Sequence, residues 1–132
     1  MYKTIRRVLC TSFILICLPA LGADVCTTLS GASVVAQDDE NTPLGKITNS
    51  YDGDSIFNEY GQHGSKYSGN SIWNSYGTFG SEYSSQSPFN KFTSKPPMLI
   101  KDGKVLGYLT TNKTVQPSIT PNLLKELCKD KL

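Results

Sequence analysis

The sequence predicts a small α+β domain: an antiparallel sheet from two hairpins, a Tyr/Gly/Ser/Asn-rich repeat of short helical turns between them, and a short C-terminal helix. Three observations predict it. Two turn-bearing segments close on similar strands, Leu44-Gly45-Lys46-Ile47-Thr48 and Leu106-Gly107-Tyr108-Leu109-Thr110. A 16-residue unit recurs in tandem between them. Near the end, Leu123, Leu124 and Leu127 fall at helical spacing behind Thr120-Pro121, an N-cap and a first-turn proline.

In chain order, residues 1–23 read as an export signal. A basic start ending in Arg6-Arg7 is followed by the apolar run Val8 to Leu18 and then by Pro19-Ala20-Leu21-Gly22-Ala23, with cleavage expected near Gly22 or Ala23. The run is shorter than the roughly 20 residues a bilayer span needs, so no membrane span is expected after processing. Cys10, Cys17 and Cys26 follow Leu9, Ile16 and Val25, and none has the small preceding residue of a lipidation site. The remainder, 24–132, suffices for one domain with one modest core. Formal charge is +2, but Lys3, Arg6 and Arg7 belong to the signal, leaving ten basic against eleven acidic residues. That lacks the cationic surplus a nucleic-acid binder uses to displace counterions from phosphate.

Processing leaves Cys26 and Cys128. Two cysteines without metal-type spacing, in an oxidising compartment, are expected to form a disulfide that ties the chain ends together.

A first hairpin is expected over 33–49, around the polar turn Asp38-Asp39-Glu40-Asn41. A second is expected over 97–112, around Lys101-Asp102-Gly103-Lys104, where Asp-Gly is the stronger turn signal. The repeat occupies 50–94 and holds 10 of the 13 aromatics, 6 of the 11 glycines and 11 serines. Residues 55–70 read SIFNEYGQHGSKYSGN, residues 71–86 read SIWNSYGTFGSEYSSQ, and a partial third copy starts at Ser87; nine of 16 positions match between the full copies. Tyr51 stands in register with Tyr67 and Tyr83. The aromatic slots Phe57, Tyr60, His63 and Tyr67 are spaced three, three and four apart, as are Trp73, Tyr76, Phe79 and Tyr83. Such spacing lines them along one side of a helix or a tighter threefold turn. Glycines at 61, 64, 77 and 80 forbid a long helix and suit turns that end at a positive backbone angle, with serines capping the next. Pro96-Pro97 ends the repeat, and a helix over 120–130 is expected to return Cys128 toward Cys26.

The repeat carries its own control for catalysis. His63 is the only histidine, and the matching slot of the next unit is Phe79, so an aromatic filler is the simpler role and no catalytic residue is assigned. One histidine and a bridged cysteine pair cannot cage zinc, and no cofactor is expected. Asp52, Asp54, Asn58 and Glu59 form an oxygen-rich cluster, a weak calcium candidate that fades to Ser68 and Asn70 and then to Ser84 and Gln86 in later units. Asp38, Asp39 and Glu40 read as a solvated loop. Asn58, Asn74 and Asn90 recur beside Phe57, Trp73 and Phe89, and two readings compete there. In one, Asn58, Tyr60, Trp73, Asn74 and Tyr76 form a ladder for a repetitive partner such as a glycan, rings against sugar faces and amides to hydroxyls. In the favoured one, each Asn bonds nearby backbone, each ring fills the core, and hydroxyls such as those of Tyr60 and Tyr76 remain exposed.

The pattern S-I-[F/W]-N-x-Y-G, then G-S-x-Y-S, repeated at 16 residues and leading into Pro-Pro and a D-G-K-V-L-G-Y-L-T strand, resembles a group of small bacterial exported proteins without an assigned activity. The likeness spans residues 34–112. It implies a bacterial envelope setting, secreted or periplasmic, and no catalytic residue, cofactor or substrate. The expected function is a non-enzymatic exported domain that binds an envelope or extracellular polymer, such as a glycan, or a protein through the repeat face. One alternative is a structural, accessory or inhibitor protein whose repeat is wholly structural. A second is a small hydrolase or calcium-dependent enzyme.

Overall fold

The computed structural model describes residues 21–132. The elements are α1 (Leu21–Leu29), β1 (Ser33–Val35), β2 (Pro43–Lys46), β3 (Met98–Lys101), β4 (Lys104–Leu109), β5 (Ser118–Ile119) and α2 (Pro121–Cys128). Most of the expected signal lies outside the described residues, and Gly22 and Ala23 fall in the first turn of α1. The sequence reading assigned α1 to no element, because its start merges with the end of the apolar leader.

Both expected hairpins form and join one five-stranded sheet in the order β2-β1-β3-β4-β5. The junction is an antiparallel β1–β3 pairing that sets Val34 opposite Leu99, so two strands nearly 65 residues apart in sequence make the centre of the sheet. β5, which the sequence reading did not separate, adds parallel to β4. At the second turn Asp102 and Gly103 both take positive φ, 53° and 78°, which is the demand of a tight two-residue hairpin loop. Asp38 does more than sit in solvent. Its carboxylate accepts from the Thr42 hydroxyl at 2.5 Å and from the Thr42 and Glu40 amides at 2.9 and 3.2 Å, folding the first turn around itself.

The helix α2 begins as expected: the Thr120 hydroxyl accepts from the Leu123 amide at 3.1 Å, Pro121 opens the first turn, and Leu124 is buried. Cys128, at its end, is bonded to Cys26 of α1, with Cα atoms 5.4 Å apart and a sequence separation of 102. The bridge therefore clasps the two terminal helices over the core. That core is shared: Val34, Leu44, Leu99 and Leu109 of the sheet region meet Ile56, Phe57, Ile72 and Phe79 of the repeat and Leu124 of α2 in one cluster.

Both ends of the repeat are pinned to the sheet. At the start, the Lys46 amide donates to the Asp54 carbonyl at 2.8 Å and the Ile56 amide to the Lys46 carbonyl at 2.9 Å. Gly45 makes this approach possible, with φ of 116° and no room for a methyl group, which would lie 2.7 Å from the His63 Cβ. At the far end the Leu109 and Thr111 amides donate to the carbonyls of Pro97 and Pro88 at 2.9 and 2.8 Å, and the Asn112 amide side chain to Thr93 at 2.8 Å.

Candidate binding face on the repeat

Between Asn49 and Thr93 the backbone is a train of single turns. Amide-to-carbonyl bonds of the i to i+3 kind start at Asn49, Asp52, Ser55 and Asn58, and the train resumes at Ser65, Ser68, Ser71 and Asn74, then at Ser81, Ser84, Ser87 and Asn90. Each of these starting residues is Asn, Asp or Ser, and each accepts the amide two positions on through its side chain, as Ser55 does from Phe57 at 3.0 Å and Asn74 from Tyr76 at 3.0 Å. These side chains are short enough to close on their own backbone, the property that makes them turn formers. Once per unit the step lengthens to four: Ser65 and Ser81 bond back to Gly61 and Gly77. Five turns of three residues and one extra residue give the 16-residue repeat, and the extra residue is Gly64 or Gly80.

Those two glycines answer to space and not to backbone angle, a correction to the expectation of positive φ. The repeat glycines are absent from the positive-φ residues, and a methyl group on Gly64 or Gly80 would run into the backbone of Asn58 or Asn74.

Burial follows a different period from the turns. Buried residues recur at 55–57, 63–64, 71–72, 79–80 and 87–88, every eight residues and so twice per sequence unit. Contacts agree: the Thr93 hydroxyl reaches the Ser85 carbonyl, and His63 Nδ1 lies 3.1 Å from the Asn70 carbonyl. The ribbon thus winds with about one coil per eight residues, one side on the core and the other in solvent. Half a period from the buried positions stand Tyr51, Tyr60, Tyr67, Tyr76, Tyr83 and Phe92, separated alternately by nine and seven residues, and each is between 84% and 100% exposed.

The expectation that the aromatic slots share one side is therefore corrected. Phe57, His63 and Phe79 face the core, whereas the six rings face away from it. His63 and Phe79 occupy equivalent buried places, at 7% and 9% exposure, as their alignment in the repeat implies.

The proposed ladder residues divide in the same way. Asn58, Asn74 and Asn90 each donate to a carbonyl six residues back, those of Asp52, Ser68 and Ser84 at 3.0–3.1 Å, and each accepts the amide of an exposed ring residue, Tyr60, Tyr76 and Phe92, at 3.0 Å. Their amides are engaged with backbone, so they hold rings in place. Trp73 is half-buried: its indole N–H donates to the Ile56 carbonyl at 2.6 Å, its ring lies 5.9 Å from that of Phe89, and the Lys125 ammonium of α2 sits 4.6 Å above it. Tyr60 and Tyr76, by contrast, lie in the open row.

Three of the four members of the oxygen-rich cluster are likewise engaged locally. Asp52 accepts from the Asp54 amide at 2.9 Å, Asn58 is engaged as above, and Glu59 turns to Lys129, just past the end of α2, at 3.4 Å. Among the described residues no three His, Cys, Asp or Glu side chains gather as they would around a metal ion.

No protein-family model, curated protein or solved structure matches this chain.

Two concavities stand out among the described residues. One, of about 690 Å³, opens between the last two rings of the row and is lined by Tyr83, Phe89 and Phe92 with Glu82, Asn90 and Lys91. The other, of about 520 Å³, runs between α1, α2 and the sheet and is lined chiefly by Leu29, Leu99, Leu106, Ile119 and Leu127. Sequence reasoning singled out Tyr60 and Tyr76 but missed Tyr51, Tyr67, Tyr83 and Phe92. Their signal was present: each follows by two residues an Asn or Ser that starts a turn, half a burial period from the isoleucines.

Proposed function

We propose that this protein is an exported, non-enzymatic domain that binds an extended envelope or extracellular partner through the solvent face of its repeat. The observation that carries the reading is the row of six exposed rings. Isolated exposed apolar residues need no explanation, but a regular series of large rings held in solvent by dedicated backbone bonds is costly to maintain without a partner. Tyrosine suits the task, since its ring gives contact area and its hydroxyl a polar handle. Export is supported by the Cys26–Cys128 bridge, a bond that persists in oxidising compartments, and no helix among the described residues is long and apolar enough to cross a membrane.

A second reading, a purely structural repeat, is favoured by the complete engagement of Asn58, Asn74 and Trp73 with backbone. Truncation of the rings separates the two. Tyr60→Ala combined with Tyr76→Ala should abolish co-sedimentation with an envelope fraction while melting temperature stays unchanged. Retained binding by the folded double variant would refute the ring face as the contact surface.

A further inference from the structure

We infer that the partner of the ring row is an uncharged linear polysaccharide, its successive sugar units laid across successive rings. This rests on the repeat face being the binding face and adds the chemistry of what binds there.

Three features of that face select the ligand. The first is charge. The residues preceding the six rings are Ser50, Glu59, Lys66, Ser75, Glu82 and Lys91, two acids and two bases in alternation, and Glu59 is already turned to Lys129. Between Ser50 and Ser94 the other charged side chains are Asp52 and Asp54, so the segment has two more acids than bases. A polyanion such as a nucleic acid or an acidic glycan is repelled by such a face, and no acidic patch is dense enough to attract a polycation. The second is regularity. The rings recur once per coil over the whole repeat, a surface built for a partner that is itself periodic. A folded protein partner instead presents an irregular contact centred on a few anchors in pockets. The third is shape and hydrogen bonding. The cleft between Tyr83 and Phe92 is lined by rings together with the charged side chains of Glu82 and Lys91, the combination that covers the C–H face of a pyranose and meets its hydroxyls.

A row of equivalent weak contacts also dictates how affinity behaves. Each ring contributes little alone, but once one sugar is seated the next is delivered at high effective concentration, so affinity rises with chain length until the row is filled.

The test uses the mature, disulfide-bonded chain and neutral cello-, chito- and malto-oligosaccharides from disaccharide to hexasaccharide, followed by calorimetry and by the NMR signals of the tyrosine rings. One series should bind with affinity that climbs with length, with little dependence on salt. Tyr67→Ala and Tyr76→Ala, both fully solvent-facing and so without effect on folding, should each weaken hexasaccharide binding roughly two- to tenfold. Ring-dependent binding to DNA or to an acidic glycan, lost at high salt, would overturn the inference of a neutral ligand while leaving the ring face intact. So would ring-dependent envelope binding abolished by protease, or ring-dependent self-association, with no response to any neutral series. Envelope binding that survives loss of the rings would overturn the ring face itself. Absence of binding to every neutral series overturns the inference.

Discussion

Asn74 performs two tasks with one side chain. Its amide nitrogen satisfies the Ser68 carbonyl and its oxygen holds the Tyr76 amide, so a loop that would otherwise expose unpaired backbone is closed and a ring is aimed outward in the same step. Asn74→Ala leaves the Tyr76 amide without its partner and the Ser68 carbonyl with only the Ser71 amide, and should lower stability by about 1–2 kcal/mol in urea unfolding. Asn74→Asp keeps the acceptor and loses only the donor, so it should fall between the two; equal losses for both variants would mean that the donor alone matters. Asp38 is the other side chain that shapes its surroundings. The Thr42 hydroxyl, and then the Thr42 and Glu40 amides, hold its carboxyl below its ordinary value. The carboxylate thus favours the folded turn at pH above the ordinary carboxylate range, and this contribution disappears as pH falls through the depressed value. Protection of the Thr42 amide from hydrogen exchange, taken relative to its intrinsic rate at each pH, should fall over that acidic window, and Asp38→Asn should remove this change in protection. An identical pH profile in the variant would show that another group controls the turn.

At the level of the element, the repeat is a ribbon made without helix or strand. Its turns form because Ser, Asn or Asp begins them, and the coils close because glycine, at 64 and 80, occupies the most crowded place in each unit, where backbone meets backbone. Gly64→Ala and Gly80→Ala should therefore each cost about 1–3 kcal/mol, the range for a forced clash in a packed interior. Gly69 lies in open space with a negative φ, so Gly69→Ala should be neutral or slightly stabilising. Thermal melts of the three variants decide the matter; equal effects at 64 and 69 would refute the crowding. The three-residue turn step was readable from the spacing of the aromatics and from Ser and Asn. The eight-residue burial period was not, because it depends on how tightly a string of such turns coils, which no single triplet specifies.

For the whole molecule, the disulfide and the sheet do complementary work. The β1–β3 pairing encloses the entire repeat as one long connection, and the Cys26–Cys128 bond encloses nearly everything else. Removing the bond frees a loop of 102 residues in the unfolded chain, worth about 4–5 kcal/mol in the chain-entropy model. Cys128→Ser should accordingly lower the urea midpoint strongly and release one free thiol, whereas an unchanged midpoint would mean that α1 and α2 are held by packing alone. The contacts of α2 and its C-cap with the repeat, Lys125 over Trp73 and Lys129 to Glu59, should loosen along with it, since only the bridged helix is fixed at both ends.

Local chemistry was sufficient to specify the two hairpins, the capped C-terminal helix, the cysteine pair and the turn-by-turn character of the repeat. Each of these depends on residues a few positions apart, or on a pair with no alternative partner. Which rings are buried and which are exposed belongs to the tertiary structure. Phe57 and Tyr60 are both aromatic and three residues apart, and they part company only because the coiled ribbon has one side against a sheet whose central strands come from opposite ends of the chain.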